Sequence, residues 1–204
     1  MASVRDGEDD AWPLLQRLLI PVLRGLLFSV WRLQVSGLEN IPRQGAVILA
    51  CNHVSNADPP LVGCAAYPVR SLRYLAKVEL FRVPVLGWLL RRGGAIALDR
   101  GRADVAAVRA SLEVLSRGRC LLLFPEGTRS KSGRPGRPKS GVGFLSGKAG
   151  VPVIPTRVVN TRRFLRLSPL EVRFGKPLRF SGDPSDRGQC EAFSRLVMDV
   201  IFSL

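Results

Sequence analysis

The sequence predicts an α/β fold, a mainly parallel central sheet flanked by helices. Two observations carry that reading. From Val35 onward, short apolar runs alternate with stretches of helical periodicity, the pattern of a sheet whose strands are linked by helices. The chain also has 204 residues, 46% of them hydrophobic and 23% charged. That suits one domain with a real core and excludes a wholly disordered chain.

The strands come first. AVILA (46–50) is short and apolar, and 74–78 is a weaker run of the same kind. Further strands are expected at 95–98, 121–124, 153–159 and 171–174. The clearest helix is 103–117. Val105, Val108, Leu112 and Leu115 recur at helical spacing, Arg109 and Glu113 sit four apart, and Gly118 follows as a stop. A second helix is expected at 141–149. A third covers 183–202, with Phe193, Leu196, Val197, Val200 and Ile201 on one face. Asp58-Pro59-Pro60 is a helix opening, with Asp58 as the capping residue. The segment 130–140, SKSGRPGRPKS, reads as a basic loop rich in Gly and Pro.

The N-terminus is of another kind, and it divides the chain into residues 1–34 and 35–204. Residues 1–10 are acidic rather than basic, so an export signal is not expected. Residues 11–31 are greasy, but Arg17 and Arg24 interrupt them, and the longest charge-free run, 25–31, has seven residues. A spanning helix needs roughly 20 mostly apolar residues. Seven positions of separation put Arg17 and Arg24 within about 20° on a helical wheel, a narrow polar stripe. Three structures fit this segment. It is an interfacial helix with Trp12 and Trp31 as end anchors, a core helix, or a hydrophobic hairpin broken near Pro21.

The formal net charge is +15 and there is one histidine, His53. A single histidine excludes a His-rich zinc site or a two-histidine facial triad within one chain. The charge calls for an anionic partner: nucleic acid, a membrane surface or a phosphorylated substrate. Of the 31 basic residues 26 are Arg, whose planar fork suits phosphate. Between 125 and 180, thirteen basic residues face two acidic ones, Glu126 and Glu171. Aromatic residues are not interleaved with this cluster as a stacking surface for single strands requires, so nucleic acid is not the expected partner. Cys51, Cys64, Cys120 and Cys190 form no close pair, which reads as buried, reduced thiols in a cytosol-facing protein.

In open α/β sheets, ligands bind beyond the carboxyl ends of the strands. Chemistry-bearing residues follow the predicted strands directly. After the first comes Cys51-Asn52-His53-Val54-Ser55-Asn56-Ala57-Asp58. His53 and Asp58 are a candidate base and its orienting carboxylate. A regular helix would set them about 140° apart, so they meet only if the intervening residues turn irregularly. After the third strand, Gly94-Ala-Ile-Ala-Leu-Asp-Arg100 ends on a guanidinium. After the fourth, Phe124-Pro-Glu-Gly-Thr-Arg-Ser130 gathers Glu126, Gly127, Thr128 and Arg129 in one turn. Gly127 lets the backbone approach a ligand, and Arg129 can hold a phosphate by two hydrogen bonds. Val151-Pro-Val-Ile-Pro155 then restarts the sheet.

In this order the four segments resemble the conserved blocks of the 1-acylglycerol-3-phosphate acyltransferases, over about 35–180. Asn52-His53 through Asp58 is similar to the family's NHxxxxD block, and 124–130 matches its third block nearly letter for letter. The resemblance implies that His53 is general base on the free hydroxyl of a lysophospholipid, with Asp58 orienting it. The acyl group then passes directly from acyl-CoA or acyl-carrier protein, with no acyl-enzyme, metal or cofactor. It implies that Arg100, Glu126, Gly127, Thr128 and Arg129 bind the phosphate end of the acceptor, and that Pro155 shapes the acyl-donor site. It also implies phospholipid biosynthesis at the cytoplasmic face of an anionic membrane. Lysophosphatidic acid is the expected acceptor, giving phosphatidic acid. The residues at Ala97 and Leu98 and the Arg- and Pro-rich loop depart from the family pattern. They leave open another lyso-lipid, such as a lyso-ornithine lipid. A basic membrane-binding protein without catalysis is the remaining alternative.

Overall fold

A computed structural model describes residues 14–98, 103–130 and 135–204. Its elements run, in chain order, α1 (Leu14–Val30), β1 (Gln34–Ser36), β2 (Val47–Cys51), α2 (Asp58–Ala66), β3 (Leu72–Lys77), α3 (Pro84–Arg92) and β4 (Ala95–Leu98). They continue with α4 (Ala103–Ser116), β5 (Cys120–Leu123), α5 (Gly141–Ala149), β6 (Val153–Val159), β7 (Glu171–Phe174) and α6 (Arg187–Ser203). The seven strands form one sheet in the order β1-β7-β6-β2-β5-β3-β4. From β6 to β4 all neighbours are parallel, while β7 runs antiparallel to β6 and β1 parallel to β7. The fold class is thus as expected, with two reversed strands at one edge.

β2 holds the centre because it is apolar on both faces. All five of its residues are buried, as a parallel strand covered by helices on each side requires. Successive residues alternate between two cores. Val47, Leu49 and Cys51 pack with Leu27 of α1 and Leu61, Val62 and Ala65 of α2. Ile48 and Ala50 pack with Val114 of α4, Leu145 of α5 and Val197 and Ile201 of α6. Ile48 and Leu49 are fully buried, so truncating either to Ala costs about 2–5 kcal/mol in lost transfer energy and cavity formation.

α6 starts four residues later than its periodicity suggested, because Asp186 caps it. Its side chain accepts from Gly188 N (2.7 Å) and Gln189 N (3.1 Å). β1 and α3 have no strong sequence signal. β1 is three residues long and only partly buried, and α3 packs with few buried side chains.

Within the N-terminal segment, Leu14–Val30 form one helix with Pro21 inside it, while Trp12 lies outside the described residues. Arg24 is not a free polar stripe. Its guanidinium donates to the carbonyls of Cys64 (2.8 Å) and Ala65 (3.0 Å) and lies over the Phe28 ring. It therefore satisfies carbonyls at the end of α2 and docks α1 there. Leu27 is buried, while Val22, Leu23, Leu26, Phe28 and Val30 stay exposed. So one side of α1 is core and another faces out. No helix among the described residues is long and apolar enough to cross a membrane.

Candidate active site

The site lies at the carboxyl ends of β2 and β5, which are neighbours in the sheet. Asn52, the first residue beyond β2, is buried. Its Nδ2 donates to the carbonyl of Val158 at 3.0 Å and its Oδ1 accepts from Val158 N at 2.8 Å. The side chain thus imitates one rung of a β-ladder and ties the end of β2 to the end of β6. The chain is then free to leave the sheet at His53.

Residues 52–55 follow no regular structure, and a turn at 56–57 leads into α2. That irregular path closes the five-residue gap. His53 Nδ1 lies 2.8 Å from Asp58 Oδ2. The same oxygen accepts from Val54 N at 2.7 Å and Ser55 N at 2.8 Å. Asp58 is fully buried, whereas His53 keeps 17% of its side chain exposed. An ionised carboxylate only accepts, so Nδ1 is the ring nitrogen that carries the proton. The lone pair of the neutral ring then sits on Nε2.

Asp58 does not cap α2, as its Asp-Pro-Pro context suggested. It is the first helical residue, and Ala57 precedes it with no side-chain cap. The carboxylate turns back to the three donors behind it because a buried charge needs them.

The third block is stitched to the first. Ser130 N donates to the His53 carbonyl at 2.8 Å. The rings of Phe124 and His53 stack, with centroids 4.0 Å apart and planes 21° from parallel. Glu126 is buried, and its carboxylate accepts from the backbone N–H groups of Gly136 and His53. Burial raises its pKa above the ordinary carboxylate value, against the opposing pull of His53 and those two donors. Glu126 Oε1 and Asp58 Oδ1 have no hydrogen-bond partner among the described residues.

The other expected site residues are placed as follows. Gly127, Thr128 and Arg129 are exposed on the same turn as Glu126. Gly127 adopts φ +70°, a conformation that side chains disfavour, and a Cβ there would press on the Lys139 side chain. Lys139 in turn donates its backbone N–H to Pro125 O at 2.9 Å, which ties the end of the basic loop to the turn. Pro155 is buried within β6, opposite Ala50 in β2, and is not gathered with the exposed turn. Arg100 lies outside the described residues.

Two residues with evident roles were not singled out by sequence reasoning. Asn52 and Phe124 were present only as letters of the motifs. An amide just past a fully apolar strand, and an aromatic beside a lone histidine, were the available signals. Cys51, the nearest thiol, is buried, and its pKa is pushed well up by desolvation and then by the charges of Asp58 and Glu126. It offers no thiolate nucleophile.

The protein-family model described as "Acyltransferase" matches residues 32–159, more than half of the chain. The chain belongs to the acyltransferase family. Relatives of this acyltransferase chain include the chloroplastic 1-acyl-sn-glycerol-3-phosphate acyltransferase BAT2 of Brassica napus, 31% identical over 146 residues, which are 68% of this chain and 40% of that protein. The lyso-ornithine lipid O-acyltransferase of Pseudomonas aeruginosa is 41% identical over 124 residues, 58% of this chain and 44% of that one. The crystal structure of the 1-acyl-sn-glycerophosphate acyltransferase PlsC from Thermotoga maritima superposes with a TM-score of 0.72 at 25% identity, covering 92% of this chain and 80% of the other. The acyltransferase chain spans about two fifths of the length of the plant relatives it matches. Its His53–Asp58 pair, Phe124 and Glu126 all fall inside the matched residues.

Proposed function

We propose that the chain transfers a fatty acyl group from acyl-CoA or acyl-carrier protein to the free hydroxyl of lysophosphatidic acid, giving phosphatidic acid. The observation that carries this reading is the 2.8 Å hydrogen bond between His53 Nδ1 and the buried carboxylate of Asp58. That bond holds the ring in the tautomer with a basic Nε2. His53 takes the proton of the acceptor hydroxyl as its oxygen attacks the thioester carbonyl. The carbon–sulfur bond then breaks, and the imidazolium returns the proton to the leaving thiolate. Asp58 stabilises the imidazolium between those steps. A thioester is activated enough that no enzyme nucleophile is needed.

Arg129 and Arg100 hold the acceptor phosphate, helped by the Thr128 hydroxyl and the backbone at Gly127. A buried carboxylate repels a phosphate, so Glu126 contributes by fixing the turn that presents these groups. Pro155 stiffens β6 behind the site. Residues 35–204 form the catalytic domain. Residues 1–34 associate it with the cytoplasmic face of an anionic membrane, through the apolar residues that α1 leaves exposed.

A second acceptor is favoured by one observation, the 41% identity to a lyso-ornithine lipid O-acyltransferase. The deciding experiment is an acyl-transfer assay with a panel of lyso-lipids and both thioester donors. Turnover of lysophosphatidic acid well above lyso-ornithine lipid supports the main reading. The reverse order assigns the second acceptor, and no transfer to any lyso-lipid defeats both.

A further inference from the structure

We propose that two apolar, arginine-flanked elements on either side of the active site insert into an anionic lipid leaflet and set the site against it. The inference rests on the acyl-transfer reading and deepens it, because it says which surfaces beyond α1 meet the lipid.

The first element follows β6. Residues Thr161–Arg166 form a short 3₁₀ segment kinked at Arg163. It is held rigidly: the Asn160 side chain donates to Pro169 O at 2.8 Å across its base, and Trp31 donates its indole N–H to Phe164 O at 2.7 Å while stacking on the Phe164 ring. This fixed turn leaves Leu165 93% and Leu167 50% exposed. Leu167 also takes a positive φ of 51°, a conformation that a branched side chain adopts at a cost. Arg162, Arg163 and Arg166 are exposed beside the two leucines, and the turn carries no acid.

The second element follows β3. The turn Val78–Arg82 leads into α3. α3 packs down through Gly87, where a Cβ would lie 2.2 Å from Phe81 O. That contact turns the neighbouring side chains outward, leaving Val85 71%, Leu89 47% and Trp88 40% exposed. Arg82, Arg91 and Arg92 are exposed and flank them in sequence, against one exposed acid, Glu79.

Topology puts both elements at one end of the sheet. β6, β2, β5 and β3 are consecutive and parallel. The chain therefore leaves β6 and β3 at the same end as it leaves β2 and β5, where His53 and Glu126 sit. Strand spacing of about 4.8 Å places the two exits roughly 14 Å apart, with the catalytic pair between them. Exposed apolar residues ringed by arginine match a leaflet that has an apolar interior and anionic headgroups. Trp88 suits the interfacial zone.

The test uses the full chain with an environment-sensitive fluorophore on Leu165→Cys or on Val85→Cys. The four natural cysteines are buried, so labelling is selective. Val105, 75% exposed on α4, supplies the control Val105→Cys. Vesicles of phosphatidylcholine with phosphatidylglycerol are the probe, and flotation of the labelled chain is followed in parallel. Blue-shifted emission brightened about twofold or more at 165 and at 85, but not at 105, is expected. Replacing Arg162, Arg163 and Arg166 by Ala is expected to weaken vesicle binding about fivefold per arginine. Silent probes on a chain that floats overturn this inference and leave the membrane reading intact. A response at only one position overturns the two-sided arrangement. A chain that does not float defeats the membrane reading and this inference with it. Brightening with protein concentration alone, without vesicles, shows that these faces bind a second copy and overturns the proposal.

Discussion

The Phe124 ring lies on the His53 ring at 4.0 Å between centroids, so the end of β5 sets the plane of the histidine that follows β2. Asp58 fixes one edge of the imidazole and Phe124 one face. Together they restrict the ring to a single orientation before any substrate arrives. For the general-base role proposed for His53, a ring held this way has little reorganisation left to do at the moment of reaction.

Phe124→Leu keeps apolar volume but removes the stacked face, worth about 0.5–1.5 kcal/mol. The expected result is a 2- to 10-fold fall in kcat with KM for both substrates nearly unchanged. Steady-state kinetics check it, and a change confined to KM would assign Phe124 to substrate binding instead.

Asp58→Asn is nearly isosteric, but its amide offers an N–H where His53 Nδ1 must donate. The ring then either loses its partner or adopts the other tautomer, which puts the proton on Nε2. In the comparable serine-protease triad that substitution costs about 10⁴ in rate. A loss of at least 10³ in kcat is expected here, with the circular dichroism spectrum unchanged.

Asn52→Ala strips Val158 of both its hydrogen bonds to the side chain. Two buried backbone groups are left unpaired, at about 1–3 kcal/mol each. For a chain of this length the melting temperature is expected to fall by about 5–15 °C. Thermal unfolding followed by circular dichroism tests it, and an unchanged midpoint would mean that water replaces the amide fully.

Arg129→Ala removes an exposed guanidinium from the turn that carries Glu126. The KM for a phosphate-bearing acceptor is expected to rise about 10- to 100-fold, as for loss of a charged hydrogen bond. The KM for the thioester should move far less, and the same asymmetry is expected for Arg100→Ala. Equal effects on the two substrates would contradict the assignment.

Burial pushes the Cys64 thiol up to about 11 and Cys120 up to about 12, from an ordinary 9.0. Both groups hold their protons longer in the fold than in the unfolded chain. Their contribution to stability is therefore complete below pH 9 and is lost as pH rises through 11 to 12. Urea midpoints should fall steadily between pH 9 and 11, and Cys64→Ala with Cys120→Ala should flatten that slope.

The sequence made the strands beyond 94 legible because each is apolar and bounded by Gly, Pro or a polar turn. It made β1 and α3 illegible because neither buries a periodic face; β1 pairs with β7, itself remote in sequence. Within the site, His53 and Asp58 were visible as types and as a motif, but their meeting depended on an irregular path from 52 to 57 that no periodicity encodes. The Asp-Pro-Pro opening pointed to a cap. It lost because three donors lie behind Asp58, and a fully buried carboxylate takes the donors that reach it. Arg24 shows the same limit: its position on a helical wheel says polar, while its bonds to Cys64 O and Ala65 O say that it is packed.

The most direct test of the account is the acyl-transfer rate of His53→Ala, assayed with lysophosphatidic acid and each thioester donor on a preparation that unfolds cooperatively. With the only histidine gone, transfer should fall to the uncatalysed level while the fold is retained. A folded His53→Ala chain that still turns over at a substantial fraction of the natural rate would contradict general-base catalysis by His53.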